Sequence, residues 1–136
     1  MDKITHDQRS ANMRAIRSVG MKPEMTVRRL AHKLGYRYRL HRHDLPGRPD
    51  MVFVSRRKII FVNGCFWHQH DDATCPIARK PKSNKEYWLP KLWRTVARDK
   101  KNWKVLSEAG WTIEVIWECQ TKNEGALKRR LTEFLE

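Results

Sequence analysis

The sequence predicts an α/β domain in which helices flank a mixed β-sheet, and three observations lead to this prediction. Short apolar runs at residues 51–54 and 58–62 are typical of two paired strands, and the alternating segment 111–117 is typical of a further strand. A long segment with apolar residues at helical spacing lies between Ser83 and Gly110, and it carries Leu92, Val96, Trp103 and Leu106. Strands and helices in this order favour a sheet with helices packed on its faces.

The N-terminal part predicts a basic, partly helical arm over residues 1–20, followed by one domain over 21–136. Gly20 separates the arm from a helix in which Pro23 suits the first turn and Gly35 the end. Residues 36–40 alternate weakly and predict a first strand, which precedes a turn at 45–49. Residues 55–57 then connect the two strands of a hairpin.

The C-terminal part predicts a long helix, a strand and a final helix. Ser83 and Glu86 have the spacing of a capping box at the start of the long helix, and Gly110 suits its end. Pro90 falls near that start, so it predicts either a later beginning or a bend. The final helix is indicated by apolar residues at helical spacing, namely Leu127, Leu131 and Phe134.

The charge balance indicates a partner that is itself a polyanion. The chain of 136 residues carries 29 Lys and Arg against 15 Asp and Glu, a formal net charge of +14. Nucleic acid is the usual partner of so basic a domain. The alternative is a generic basic surface, such as that of a ribosomal or architectural protein.

Nothing in the sequence indicates a membrane protein. No apolar stretch approaches the roughly 20 residues of a membrane helix, and the N-terminus lacks the apolar region of a signal peptide. We therefore expect a cytoplasmic, nucleoid-associated protein. As a separate expectation, we take it to be monomeric.

The cysteines indicate a metal site. Cys65, His70 and Cys75 are separated by four residues each, and Cys119 follows the strand predicted at 111–117. Three thiolates and one imidazole form a standard tetrahedral zinc set, and the loop between them has little of its own to pack. The alternative is three buried cysteines that act as small apolar side chains.

Asp50 is a candidate ligand for a divalent cation. It lies at the start of one predicted hairpin strand, beside the end of the neighbouring strand at Val62 and Asn63. Magnesium prefers oxygen ligands and keeps several waters, so one carboxylate and one backbone carbonyl can suffice. The alternative is an aspartate that serves only the turn.

The loop residues Phe66, Trp67 and His68 suggest a contact with DNA bases and a proton acceptor. Two adjacent large aromatics in a loop cannot both face one core, so we expect at least one to be exposed. Exposed aromatics on a basic surface are suited to stacking on bases or wedging between them. His68 can serve as a general base, although a surface histidine often has no role.

Five segments of the chain together resemble the very-short-patch-repair (Vsr) mismatch endonucleases. Several matches in the right order across almost the whole chain are far more specific than any one alone. The segments are NMRAI at 12–16, LPGRPD at 45–50, VNGCFWH at 62–68, YWL at 87–89 and WEC at 117–119.

The resemblance implies a restriction-endonuclease-like fold with a structural zinc site, and a reaction on double-stranded DNA. The implied reaction nicks one strand on the 5′ side of the thymine in a T:G mismatch, which arises when 5-methylcytosine deaminates. It implies that Asp50 binds Mg²⁺ with the main-chain carbonyl of Val62. It also makes His68 the general base and Glu24 a hydrogen-bonding or water-positioning acid.

The same resemblance assigns the zinc ligands and the DNA contacts. It implies that the structural Zn²⁺ is held by Cys65, His70, Cys75 and Cys119. The implied DNA-contacting residues are Met13, Arg14, Phe66, Trp67, Trp88 and Lys91.

The sequence departs from the family at Asn63, where the best-known pattern has a histidine. An amide cannot accept a proton as a base, but it can orient water or phosphate, so the departure puts more weight on His68. Thr95 stands where a base-reading asparagine is expected, so the flanking sequence preference does not carry over. Two other functions stay open: a nuclease of this fold with a different DNA target, and a non-catalytic zinc module that binds DNA.

Overall fold

The structure is a computed structural model that describes residues 22–71, 75, 77–78 and 83–136. The arm predicted at 1–20 lies outside the described residues. The predicted order of helix, strand, strand, strand, helix, strand, helix is confirmed. The elements are α1 (22–33), β1 (Arg39–Leu40), β2 (Met51–Phe53), β3 (Lys58–Asn63), α2 (Lys85–Glu108), β4 (Thr112–Trp117) and α3 (Glu124–Leu135).

The described residues form one mixed, four-stranded sheet in the order β1-β2-β3-β4. The first three strands are antiparallel neighbours, with Met51 opposite Ile60 in the β2–β3 hairpin. β3 and β4 are parallel and end together, because Asn63 is the register partner of Trp117. Parallel neighbours need a crossover connection, and α2 lies in that connection.

Alternation along the strands gives the sheet two apolar faces, so the domain has three layers. Ile60 of β3 belongs to one core and its neighbour Ile59 to the other. The first core joins the sheet to α1 and α3 through Val27, Ala31, Met51, Phe53, Ile60, Ile116, Leu127, Leu131 and Leu135. The second joins the sheet to α2 through Val52, Ile59, Phe61, Leu106 and Trp111.

The start of α2 differs from the prediction. The capping box predicted at Ser83 and Glu86 is wrong: Asn84 is the N-cap, in the left-handed conformation and without a side-chain cap bond. The backbone carbonyl of Asn84 instead accepts hydrogen bonds from the amides of Tyr87 and Trp88, both at 3.0 Å. The helix therefore begins at Lys85 and contains Pro90, so the later start is also wrong.

The hairpin connection is one residue longer than predicted, because it spans residues 54–57 rather than 55–57. β2 ends at Phe53, and a single 3₁₀ turn at Val54–Arg56 leads to Arg57 in the left-handed conformation. The first strand is also shorter than the predicted 36–40, because only Arg39 and Leu40 pair with β2. The antiparallel register, with Met51 opposite Ile60, brings the turn before β2 close to the end of β3.

Candidate active site and metal centre

Asp50 lies where β2 begins and β3 ends. Its Oδ2 atom accepts a hydrogen bond of 2.6 Å from the backbone amide of Val62. The amide and carbonyl of one strand residue point to the same edge, so the carbonyl of Val62 faces the side on which Asp50 lies. The structure thus brings together the two residues that were predicted to share a cation.

Glu24 reaches the same place from α1, and a histidine that the sequence reasoning missed joins it. The Oε2 atom of Glu24 lies 3.2 Å from Nε2 of His41, and Nδ1 of His41 lies 3.9 Å from Oδ1 of Asp50. Ligating atoms of the three residues all lie within 4.8 Å of one another. We call Glu24, His41 and Asp50 the carboxylate–imidazole cluster.

The electrostatics of this cluster favour a positive charge. Burial raises the pKa of Asp50 to about 8, although the amide of Val62 opposes the shift. The neighbouring carboxylate of Glu24 raises the pKa of Asp50 further by repulsion. The repulsion between two carboxylates this close is lowered by a shared proton or by a cation. Hard divalent cations prefer such oxygen donors.

His68 is paired with an acid that the sequence reasoning did not identify. Its Nδ1 atom lies 2.6 Å from Oδ2 of Asp99, which projects from α2. Donation from Nδ1–H to the carboxylate leaves Nε2 as the proton acceptor, which is the state a general base needs. Asp99 gives no local signal because it lies in a highly charged helix, 31 residues from His68.

Asn63 is buried at the end of β3. It is only 3% exposed, and its Nδ2 atom has no hydrogen-bond partner among the residues that the structure describes. A buried donor without a partner costs about 1–3 kcal/mol, unless solvent or a ligand supplies the acceptor. Asn63 therefore offers a hydrogen-bond donor at the strand end next to Val62.

The register of the parallel strands explains how distant cysteines meet. Cys65 and Cys119 each lie two residues beyond the register partners Asn63 and Trp117. The backbone amide of Cys119 accordingly lies 3.4 Å from the Sγ atom of Cys65. Burial raises the pKa of Cys65 to about 12, so a metal ion would have to displace its proton.

His70 and Cys75 complete a set of donors that suits zinc. Nδ1 of His70 lies 3.5 Å from Sγ of Cys119 and 3.8 Å from Sγ of Cys65. Four donor atoms, including that of Cys75, lie within 4.8 Å of one another. Zinc at its usual bond lengths separates sulfur and nitrogen ligands by about 3.6 Å, so the residues fit the ion. The ring of His70 is held by stacking on Trp117, with centroids 4.4 Å apart.

The aromatic residues predicted to touch DNA form one cluster. Phe66, Trp67 and Trp88 contact one another edge to face, with ring centroids 5.5–5.8 Å apart. The expectation that Phe66 or Trp67 is exposed is wrong, because both are half-buried where Trp88 of α2 packs against them. Nζ of Lys91 lies 5.9 Å from the ring centre of Trp67.

Met13 and Arg14 lie outside the described residues.

The raised pKa of Asp50 predicts that its ionised form destabilises the protein when no divalent cation is added. Between its ordinary pKa of 3.8 and about 8, the folded state holds a proton that the unfolded chain has released. This contribution to stability is full below the ordinary pKa and is lost as the pH rises toward 8. Asp50→Asn imitates the neutral form, so we expect it to raise the free energy of unfolding at pH 7 by roughly 2–4 kcal/mol.

Urea unfolding at a series of pH values measures this difference. The gain of Asp50→Asn over wild type should grow from pH 5 to pH 8. Asp44→Asn is the matched control, because Asp44 is an exposed carboxylate paired with Arg42 and its pKa is lowered by that hydrogen bond. A difference for Asp50→Asn that does not change with pH would contradict the electrostatic account.

Comparisons with known proteins show the family to which the chain belongs. The family model described as DNA mismatch endonuclease Vsr matches residues 1–74. The chain is 45% identical over 135 residues to the type II nicking enzyme V.XorIIP of Xanthomonas oryzae, covering 99% of this chain and 97% of that protein. It is 38% identical over 136 residues to the DNA mismatch endonuclease Vsr of Escherichia coli, covering 99% of this chain and 83% of that protein. The chain therefore belongs to the Vsr family of DNA mismatch endonucleases.

Proposed function

We propose that this endonuclease nicks one strand of double-stranded DNA on the 5′ side of the thymine in a T:G mismatch, and that it requires Mg²⁺. Such mismatches arise when 5-methylcytosine deaminates, so the reaction would start very-short-patch repair. The observation that carries the proposal is the contact between the carboxylate of Asp50 and the end of β3 at Val62. Membership of the family supports an endonuclease that acts on mismatched DNA.

The cation would be held by Asp50, by the main-chain carbonyl of Val62 and, directly or through water, by Glu24. A divalent ion at this position supplies a Lewis acid and a template for phosphodiester hydrolysis. The carboxylates of Asp50 and Glu24 lie close together, and their mutual repulsion supports this assignment. A restriction-endonuclease-like arrangement of the mixed sheet and its flanking helices belongs to the same proposal.

His68 would take the proton from the attacking water. Asp99 fixes the tautomer through its bond to Nδ1, and its negative charge stabilises the imidazolium that forms. Asn63, which replaces a histidine of the family pattern, would donate a hydrogen bond to the water or to a phosphate oxygen. This division of roles requires only one histidine as base.

The aromatic cluster and the basic surface would hold the mismatch. A T:G pair is already weakly stacked, so apolar wedges such as Phe66, Trp67 and Trp88 unstack it at less cost than a matched pair. Lys91, beside these rings, also lines an open groove of about 510 Å³. That groove carries further cationic side chains of α2, and its lining is Glu86, Tyr87, Pro90, Lys91, Arg94, Thr95 and Arg98.

The remaining parts of the proposal concern the whole chain. The arm at 1–20, with Met13 and Arg14, would contact DNA from the minor-groove side, while residues 21–136 would form the endonuclease domain. No helix among the described residues is long and apolar enough to cross a membrane. We propose a monomer that works in the cytoplasm, on the nucleoid.

The nicking proposal predicts that a T:G duplex is cut in Mg²⁺ while its T:A counterpart stays intact. Denaturing gels of end-labelled duplexes measure the cut strand and its position. Asp50→Asn should lower the cleavage rate at least about a thousandfold, because several kcal/mol of transition-state stabilisation are lost. It should still bind DNA.

Asp44→Asn is again the control, and it should cut as wild type does. Equal cutting of both duplexes would indicate a nuclease with a different DNA target. Absence of cleavage with every divalent cation would indicate a non-catalytic zinc module. Undiminished cleavage by Asp50→Asn would remove Asp50 from the mechanism.

The zinc assignment predicts about one Zn²⁺ per chain in the purified protein, held by Cys65, His70, Cys75 and Cys119. Cys119→Ala should lose the ion and lower the melting temperature, since the metal joins the ends of β3 and β4. Elemental analysis with a thermal melt measures both effects. His32→Ala, which removes an exposed histidine of α1, should keep the zinc. The assignment would be refuted if the wild-type protein contained no zinc and melted at the same temperature as Cys119→Ala.

A further inference from the structure

We propose that His41 is a nitrogen ligand of the catalytic cation, beside the carboxylates of Asp50 and Glu24, and that it suits this site to Mn²⁺ as well as Mg²⁺. The proposal rests on the cation-dependent nuclease function and deepens it. Neither the sequence reasoning nor the family segments at 45–50 and 62–68 include His41.

The backbone at His41 adopts an uncommon conformation. His41 directly follows β1 and has a φ of 45°, which only a few per cent of non-glycine residues adopt. Such a conformation is strained and persists where the surrounding structure enforces it. In this structure the imidazole of His41 lies between the carboxylates of Glu24 and Asp50, which come from two other parts of the chain.

The distances match what a metal ion requires. With bonds of about 2.1 Å, an octahedral ion separates neighbouring donor atoms by about 3 Å and opposite ones by about 4.2 Å. Nε2 of His41 lies 3.2 Å from Oε2 of Glu24, which is close to the spacing of neighbouring ligands. Nδ1, on the other side of the ring, lies 3.9 Å from Oδ1 of Asp50, and one ligand atom from each of the three residues lies within 4.8 Å of the others. Oδ2 of Asp50 accepts the amide of Val62, and Oδ1 is the atom nearer His41. The atom of Asp50 that the β3 amide does not use is therefore the one beside the imidazole.

The exposure of the three side chains supports a ligand rather than a surface ion pair. The side chains of Glu24 and Asp50 are 15% and 18% exposed, while that of His41 is 46% exposed. The imidazole thus lies at the solvent side of two largely buried carboxylates, where a cation must also reach the phosphate. A histidine that only formed a surface ion pair would contribute little to stability. Such a role would not require two largely buried carboxylates beside the ring.

A nitrogen donor changes which ions the site accepts. Mg²⁺ takes oxygen ligands almost exclusively, whereas first-row transition ions accept imidazole as well. The carboxylates keep the site suitable for Mg²⁺, and His41 adds affinity for Mn²⁺ in particular. Removal of His41 should therefore weaken Mn²⁺ binding more than Mg²⁺ binding.

The test is pulsed electron paramagnetic resonance of Mn²⁺ added to the zinc-loaded protein without DNA. Wild type should show coupling of Mn²⁺ to a directly bonded ¹⁴N nucleus, and His41→Gln should lose it. Mn²⁺ affinity, titrated by the signal of the free ion, should fall at least about tenfold in His41→Gln. Mg²⁺ affinity, from competition with Mn²⁺, should fall by less.

His43→Gln is the matched control, because His43 is an exposed histidine two residues further on and lies outside the cluster. It should keep both the ¹⁴N coupling and the Mn²⁺ affinity of wild type. Zinc content and a thermal melt show that His41→Gln is folded.

Two results would overturn the proposal: wild type without ¹⁴N coupling, or His41→Gln with undiminished coupling. Either result leaves the nicking function standing if wild type still cuts the T:G duplex in Mg²⁺. Conversely, ¹⁴N coupling in a protein that cuts no duplex would refute the proposed function and leave the metal site in place.

Discussion

The hydrogen bond from the amide of Val62 to the carboxylate of Asp50 is the contact on which the candidate site depends. At 2.6 Å it ties an acid from the turn before β2 to the end of β3. It leaves the second carboxylate oxygen facing His41, the residue after β1, and His41 in turn contacts Glu24 of α1. Burial and the charge of Glu24 make the ionised acid unfavourable without a partner, and the proposed cation would be such a partner.

The same strand end also brings together the four residues of the candidate zinc site. Because β3 and β4 are parallel and finish in register, the residues that follow them leave the sheet side by side. Cys65 and Cys119 meet there, and the turn from Gly64 to His70 places His68 against Asp99 of α2. A zinc ion in this position would hold the loop that carries His68 to the sheet that carries Asp50. The zinc ion would then hold the loop in position, and the cation at Asp50 would take part in the hydrolysis.

Local patterns predicted the elements well and long-range contacts poorly. Periodicity and glycine positions gave the order of helices and strands, and the spacing of Cys65 and His70 indicated a metal site. The pairing of His68 with Asp99 spans 31 residues and joins a loop to a charged helix face, so no local pattern could indicate it. The predicted start of α2 was wrong although its signal was local. The spacing of Ser83 and Glu86 suggested a side-chain cap, but the helix begins with backbone hydrogen bonds to Asn84 instead.

The central claim is that Asp50 holds a divalent cation against the scissile phosphate at the end of β3. A crystal structure of the protein with an uncleaved T:G duplex and Ca²⁺, which binds oxygen ligands and commonly does not support cleavage, tests this most directly. The account predicts a calcium ion within bonding distance, about 2.4 Å, of both Oδ1 of Asp50 and the phosphate on the 5′ side of the mismatched thymine. A calcium ion or scissile phosphate far from Asp50, with its carboxylate bonded only to the protein, would contradict it.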